Sequence, residues 1–265
     1  MNNQSVHKPH KNYRYLFVSD AHLGGFSDAK NLELENAFLK LIDFCKKEHL
    51  EMIILGDLFD YWMEVGSYIP KVGSRVCERF KELHEKTGKK TLFITGNHDN
   101  WTYGYLSDEI GFRIVNDSFQ LPLQNGYALL YHGDGLPDEN LNLVRPAFHR
   151  FLRNPYFTVL YKSILPGKLA VEIMRLFSKC SRMLSSDDDK LKRTLIDSKA
   201  KELLELEIAD AILCGHHHKA TFQTINNRIY MNTGNFYNDR NVGLYVDGQF
   251  SPAIWHETEN LLVTE

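Results

Sequence analysis

A chain of 265 residues has room for one large or two small domains. With 43% apolar and 25% charged residues its composition is that of an ordinary globular protein, which excludes a disordered or collagen-like chain. A net charge of −3 argues against a broadly basic nucleic-acid binder, and no uncharged apolar run approaches the ~18 residues that suggest a membrane span.

Met1–Asn12 is polar, holds His7, Lys8, His10 and Lys11, and leads into no apolar stretch, so it does not read as a secretory signal. Tyr15–Val18, Met52–Leu55 and Thr91–Ile94 are apolar runs of buried-strand type. Between the first two, Leu34, Phe38, Leu41, Ile42 and Cys45 recur at helical spacing over Leu32–Cys45; between the second and third, Val76, Phe80 and Leu83 mark a helix over Val72–His84. This alternation predicts an α/β sheet with strands buried on both faces. It lapses after Ile114, where Ala128–Tyr131 follows a Gln124-Asn125-Gly126 turn signal.

Residues 141–185 differ in kind, with eight Lys or Arg (Arg145, Arg150, Arg153, Lys162, Lys168, Arg175, Lys179, Arg182) against the single acid Glu172. The segment carries +7, which leaves −10 for the rest of the chain. It is rich in Leu, Phe, Tyr, Ile and Met, and Asn154-Pro155 and Pro166-Gly167 divide it into short predicted helices. The last quarter returns to strands: Ala211–Cys214 is a buried run, Thr221–Ile225 and Ile229–Thr233 flank an Asn226-Asn227-Arg228 turn, and Gly243–Val246 and Ala253–Trp255 flank Asp247-Gly248. Cys45, Cys77, Cys180 and Cys214 are widely separated, form no Cys-x-x-Cys pair, and read as free thiols of a reducing, cytoplasmic compartment. The expected organisation is one domain over 13–256 with a helical insertion at 138–208, flanked by tails at 1–12 and 257–265.

Polar residues of one chemical type follow five of the buried runs. They are Ser19-Asp20-Ala21-His22, Gly56-Asp57-Leu58-Phe59-Asp60, Gly96-Asn97-His98-Asp99, His132-Gly133-Asp134 and Gly215-His216-His217-His218. Taken singly, an Asp after a strand is commonly a helix cap, a His is commonly a satisfied surface or core residue, and a Gly is commonly turn punctuation. Five such clusters after five buried runs point instead to one site, with the strand ends meeting at one edge of a sheet where open α/β sheets bind ligands. Asp, His and Asn together suit Mn²⁺, Fe²⁺ or Zn²⁺ better than Ca²⁺ or Mg²⁺, which prefer all-oxygen shells.

The donors divide between two ions. Asp20 and His22, two apart on an extended segment, are expected to reach one ion with His218; Asn97, His132 and His216 are expected to hold the other, with Asp57 shared. Two ions ~3.5–4 Å apart are the arrangement that phosphoester hydrolysis uses. His98 is left beside Asn97 to contact phosphate or protonate a leaving oxygen, Asp99 is placed to orient His98, and Asp60 or Asp134 to accept from ligand imidazoles.

In these motifs the chain resembles the calcineurin-like metallophosphoesterase superfamily. Asp20-x-His22, Gly56-Asp57-x-x-Asp60, Gly96-Asn97-His98-Asp99, the strand-His132-Gly133 context and Gly215-His216-x-His218 occur in that superfamily's order. The resemblance implies a four-layer α/β/β/α sandwich with a helical lid insertion, and a dinuclear site favouring Mn²⁺. Asp20, His22, Asp57, Asn97, His132, His216 and His218 become its ligands and His98 its catalytic histidine, with Asn97 and His98 touching the substrate.

Ser19-Asp20-Ala21-His22-Leu23-Gly24, Gly56-Asp57-Leu58-Phe59-Asp60-Tyr61-Trp62 and the basic, apolar insertion are further similar to the UDP-2,3-diacylglucosamine diphosphatases of lipid A synthesis. The best-known branch of those enzymes carries Arg at the position of His98 and Thr at that of His217. His98 matches the wider superfamily and a second branch with the same activity. This resemblance implies cleavage of a lipid-linked sugar nucleotide to 2,3-diacylglucosamine 1-phosphate and UMP, with the acyl chains received by the insertion. An apolar groove with cations is what such a substrate requires, and Ser178, Lys179 and Arg182 are the candidate contacts there. Basic, apolar helices also suit an anionic membrane surface, so peripheral attachment to the inner membrane is expected, with no nucleic acid and no obligate protein partner. Two other functions fit parts of the pattern: a phosphoesterase for another phosphodiester or nucleotide diphosphate, and a non-catalytic scaffold of the same fold, which would be expected to lack several of the seven ligands.

Overall fold

A computed structural model describes residues 13–137, 141, 143–184 and 188–264, with the side chains of 148, 155, 175, 177–184 and 188–196 outside that description. Two sheets face each other. The first runs in the order β12, β11, β10, β1, β2, β3, β4 and the second β5, β6, β7, β9, β8. The first is parallel through β1 (Tyr15–Val18), β2 (Glu51–Ile54), β3 (Leu92–Ile94) and β4 (Arg113–Val115), and antiparallel beyond β1 through β10 (Asn241–Val246), β11 (Gln249–His256) and β12 (Leu261–Thr264). The second is parallel at its centre, β6 (Tyr127–Tyr131), β7 (Ala211–Cys214) and β9 (Arg228–Asn232), with antiparallel edges β5 (Ser118–Pro122) and β8 (Thr221–Ile225).

Side-chain alternation along each strand fills three cores. Tyr15 and Phe17 of β1, with Ile53, Leu55, Leu92 and Ile94, face inward against Leu121, Ala128, Leu130, Ala211, Leu213 and Met231 of the second sheet. Leu16, Val18, Met52, Ile54 and Phe93 point outward to α1 (Asp28–Lys47) and α2 (Ser74–Thr87), which present Leu34, Phe38, Leu41, Val76 and Phe80. On the far side Leu129, Tyr131, Ile212, Cys214 and Tyr230 meet Ala200, Leu203 and Leu204 of α6 (Asp188–Glu205). Helices, sheet, sheet and helix therefore make four layers, and strands buried on both faces explain why their sequences read as unbroken apolar runs.

Local chemistry sets the boundaries. α1 starts four residues before the expected Leu32, because Ser27 caps it by accepting from the Lys30 N–H. Asn226 and Asn227 both have positive φ, at 49° and 64°, and Asp247 and Gly248 follow suit at 52° and 83°. Two consecutive left-handed residues are what a tight hairpin needs, and Asn, Asp and Gly tolerate them. Cys45, Cys77 and Cys214 are buried free thiols, and burial pushes the Cys77 and Cys214 thiols up to about 12. No helix among the described residues is long and apolar enough to cross a membrane.

Three expectations are corrected. The donor-bearing strands do not share one sheet: β1, β2 and β3 belong to the first and β6 and β7 to the second. The 257–265 segment is not merely a tail, since Leu261–Thr264 pairs with β11 as the seventh strand. The insertion is also smaller than 138–208, because α6 spends its apolar face on the second sheet. What stands apart is α3 (Ala147–Leu152), α4 (Pro155–Ile164) and α5 (Gly167–Leu184). Ala170, Val171 and Met174 of α5 pack on Met63, Val65 and Trp101, joined by the half-buried Leu152, Phe157 and Tyr161. Asn154 caps α4 by accepting from the Tyr156 and Phe157 N–H groups, with Pro155 in the first turn, where its missing N–H costs nothing.

Candidate metal centre

The five polar clusters lie on the loops that leave β1, β2, β3, β6 and β7, and those loops are stitched together by their backbones. Asp20 N–H donates to the Gly56 carbonyl and His22 N–H to that of Asp57; Gly215 N–H donates to the His132 carbonyl, linking the two loops of the second sheet. Asp20, His22, Asp57, His216 and His218 all have φ between 47° and 73°. An extended segment was expected to aim Asp20 and His22 the same way; instead both occupy the left-handed region, and the tight turn brings them together. Sparsely populated backbone of this kind persists where surrounding structure imposes it, and it concentrates at functional sites.

The donor atoms form two groups. In the first, His218 Nε2 stands 3.3 Å from Asp20 Oδ1 and 3.2 Å from His22 Nε2, and His22 Nε2 is 3.7 Å from the same Asp20 oxygen. In the second, His132 Nε2 lies 3.3 Å from Asp57 Oδ2, 3.2 Å from Asn97 Oδ1 and 3.3 Å from His216 Nδ1. Asp57 Oδ2 is also 3.9 Å from His22 Nε2, so this carboxylate stands between the groups. All seven residues expected as ligands converge here. A ring nitrogen of His98 also comes within 4.8 Å of donor atoms of His22 and Asp57, closer to the donors than its expected role beside them required.

Four of the donors are oriented by neighbouring groups. His132 Nδ1 faces the Leu55 carbonyl at 2.8 Å, which puts the proton on Nδ1 and turns the Nε2 lone pair inward. His22 Nδ1 is 3.4 Å from Asp60 Oδ1. Asp57 Oδ1 accepts the His98 N–H at 2.9 Å, leaving Oδ2 for the centre. Asp20 Oδ2 accepts from Ser19 Oγ and from the His216 N–H, whereas its Oδ1 is buried without a hydrogen-bond partner and faces His22 and His218. A buried, unpaired carboxylate oxygen ringed by imidazole nitrogens is the donor chemistry of a cation site, and the residues present fit a pair of divalent ions. The glycines before the donors serve this crowding rather than punctuate turns. A Cβ on Gly96 would collide with the Asp57 carboxylate, and one on Gly56, whose φ is 91°, with the His132 ring.

Charge is concentrated accordingly. Burial opposes ionisation of Asp20, but the His218 and His22 imidazoles beside it outweigh burial and hold the carboxyl well below the usual range. Asp57 is lowered too, the field of His132 above all overcoming burial. Burial works against protonation of His22 and His132, yet Asp20 and Asp60 on one and Asp57 on the other raise each to about 10. His98 moves the other way, lowered by burial despite the attraction of Asp57, and burial with the positive His132 pushes His216 down further.

Asp99 does not orient His98. Its carboxylate turns back to accept from the Leu58 N–H at 2.8 Å and the Gly96 N–H at 2.7 Å, and burial beside Asp57 raises it to about 7. The orienting partner of His98 is the Asp60 carbonyl, met by Nδ1. Of the two acids expected to support ligand imidazoles, Asp60 serves His22, while Asp134 takes Arg153 at 3.1 Å, Arg145 at 3.5 Å and His149 at 3.6 Å. Ser178, Lys179 and Arg182 lie on α5, and their side chains fall outside the described residues.

Sequence reasoning missed Asn235, whose amide donates to the His218 carbonyl at 2.9 Å, and Tyr237, whose hydroxyl is 3.4 Å from His218 Nδ1. A signal existed, since Thr233-Gly234-Asn235 repeats after β9 the strand-then-polar pattern of the other loops.

Comparison with known proteins follows the geometry. The phosphoesterase Yfce of E. coli superposes with a TM-score of 0.45 at 15% identity, covering 94% of this chain and 96% of that one. A UDP-2,3-diacylglucosamine hydrolase of Porphyromonas gingivalis is 30% identical over 156 residues, and the alignment spans 58% of each protein, less than two thirds of that relative's length. A UDP-2,3-diacylglucosamine hydrolase of Vibrio cholerae is 24% identical over 244 residues, 87% of this chain and 93% of that one. The calcineurin-like phosphoesterase family matches residues 13–220, which contain every donor of the centre. The chain belongs to the calcineurin-like phosphoesterase family.

Proposed function

We propose that this protein is a dinuclear-metal hydrolase that adds water across the diphosphate of UDP-2,3-diacylglucosamine, giving UMP and 2,3-diacylglucosamine 1-phosphate. The observation that carries the reading is the pair of donor groups sharing Asp57, one with Asp20, His22 and His218, the other with Asn97, His132 and His216. The names of the Porphyromonas and Vibrio relatives supply the substrate. The mixed nitrogen and oxygen donors suit Mn²⁺, Fe²⁺ or Zn²⁺, and Mn²⁺ is our choice among them from the family resemblance. Two such ions, held by these residues, would polarise phosphoryl oxygens and lower the pKa of a bound water.

The protein's part is placement and proton handling. Asp57 fixes the separation of the two groups, and its negative charge is shared between them. His98, with its Nδ1 proton held on the Asp60 carbonyl, presents a lone pair at Nε2. Burial keeps that imidazole neutral, so it accepts a proton during attack and returns it to the leaving oxygen. Asn97, next to it, is positioned for a phosphoryl oxygen.

The insertion supports a lipid substrate. Tyr156, Val159, Leu160 and Ile164 line one face of α4 and Leu169, Ile173 and Leu176 one face of α5, all exposed. Apolar faces of that extent on a soluble fold mark an interaction surface, and with the surrounding Lys and Arg they fit an anionic membrane from which an acylated substrate is taken. We assign α3–α5 as the lid, with Ser178, Lys179 and Arg182 as its contacts to the substrate.

The test is turnover by Mn²⁺-loaded protein of UDP-2,3-diacylglucosamine beside a nucleotide diphosphate sugar and a cyclic nucleotide. UMP released from the acylated compound in strong preference is expected. Cleavage of the soluble compounds alone would overturn the substrate, and no turnover of any would overturn the hydrolase.

A further inference from the structure

Leu152 and Arg153 form the knuckle between α3 and α4, and both turn back onto the loop that carries Asn97 and His98. Arg153 Nη2 donates to the Gly96 carbonyl at 2.9 Å, the Thr95 carbonyl at 3.2 Å and Asp134 at 3.1 Å. Its Nη1 donates to the Asn116 carbonyl at 2.7 Å and to Thr95 Oγ1 at 3.2 Å. The Leu152 carbonyl accepts the Trp101 indole N–H at 3.0 Å. Thr95-Gly96 lead into the Asn97-His98 loop and Trp101 closes it, so two consecutive residues of the insertion grip that loop at both ends.

The same guanidinium reaches a second donor loop, because Asp134 lies two residues beyond His132. The Arg153 side chain is only 9% exposed, and it serves acceptors from three segments of the core, which no solvated surface arginine does. The arrangement depends on the two terminal nitrogens of a planar fork; a lysine ammonium carries the charge but cannot span those acceptors.

We propose that Arg153 is a positioning residue that holds the loops of Asn97, His98 and His132 in register, so that the seating of the insertion sets the geometry of the metal centre. It touches neither substrate nor ion in this account; it acts through the backbone of Thr95-Gly96 and through Asp134. The reaction part of the claim rests on the proposed function, while the metal part stands independently of the substrate.

The experiment compares wild type, R153M and R153K by calorimetric titration with Mn²⁺ alone, and by kcat and KM on bis(4-nitrophenyl) phosphate and on UDP-2,3-diacylglucosamine. Removal of a group that orients ligands typically costs roughly 10–100-fold in metal affinity or activity. R153M is expected to show a loss of that size in Mn²⁺ affinity and in kcat on both substrates, with KM for the small diester unchanged, and R153K to recover little of it. Should R153M fail to fold, W101F removes the indole donor to Leu152 along with part of the buried ring, and is expected to shift the same quantities in the same direction by less.

Wild-type Mn²⁺ affinity and wild-type kcat on the small diester in folded R153M, or in W101F if that variant is used, would overturn the proposal. So would a defect confined to KM for the acylated substrate, which would reduce Arg153 to docking the insertion. If wild type cleaves the diester but not the acylated compound, the substrate assignment falls and the Arg153 comparison still reads out on the diester and the calorimetry.

Discussion

Asp57 and His98 are joined by one hydrogen bond, the Asp57 carboxylate accepting the His98 backbone N–H at 2.9 Å, yet their roles separate cleanly. Asp57→Ala removes the carboxylate that both donor groups share, and purified protein should carry neither ion when assayed by elemental analysis. His98→Ala leaves all seven donors in place, so metal content should stay near wild type while turnover falls roughly 10²–10⁴-fold, the usual worth of a general acid–base group. Metal loss in His98→Ala equal to that in Asp57→Ala would make His98 a ligand, as its closeness to His22 and Asp57 permits.

The same residues predict a pH dependence. In metal-free protein His22 and His132 titrate at about 10, above the ordinary 6.5. The stabilisation this gives the metal-free fold is complete below pH 6.5 and disappears as pH rises through about 10. A cation needs the neutral imidazole, so binding expels these protons and tightens as pH rises. The gap in melting temperature between Mn²⁺-loaded and EDTA-stripped protein should therefore widen from about pH 7 to pH 9; a constant or narrowing gap would contradict the assignment. At this scale the donors were legible in sequence, because each follows an apolar run that fixes where it sits. Arg153 and Asp99 were not, since the partners of Arg153 lie up to 58 residues away and Asp99 ignores its neighbour His98 for backbone N–H groups 40 residues back.

Among the elements, hairpins were readable down to their turns, because Asn226-Asn227 and Asp247-Gly248 name a backbone conformation that few other residues tolerate. β12 was not, although Asn260 before it takes a positive φ of 53°, since Leu261–Thr264 is a short edge strand without the unbroken apolar run of buried strands such as β1 and β7. α6 was misplaced for a different reason: a sequence shows that a helix has an apolar face but not which surface covers it. The faces of α4 and α5 that stay uncovered carry a prediction. Leu160 and Ile164 are 60% and 67% exposed, and replacing both with Glu should sharply reduce co-sedimentation with vesicles containing phosphatidylglycerol and leave kcat on a small diester unchanged. Undiminished sedimentation would take α4 out of contact with the membrane.

For the molecule as a whole, the parallel strands β1 to β3 and β6 to β7 deliver their polar ends to one place although they belong to two sheets. Composition and periodicity foretold the strands but assigned their ends to a single sheet; the four-layer sandwich followed from the resemblance, and the packing supplies its reason, an inner core that both sheets must bury. Everything chemical depends on that convergence giving two cation sites about Asp57. Anomalous diffraction from crystals grown with Mn²⁺ measures it directly. The account predicts two peaks roughly 3.5–4 Å apart, one against Asp20, His22 and His218, the other against Asn97, His132 and His216, with the Asp57 carboxylate between them. A single peak, or peaks ligated by other residues, would contradict it.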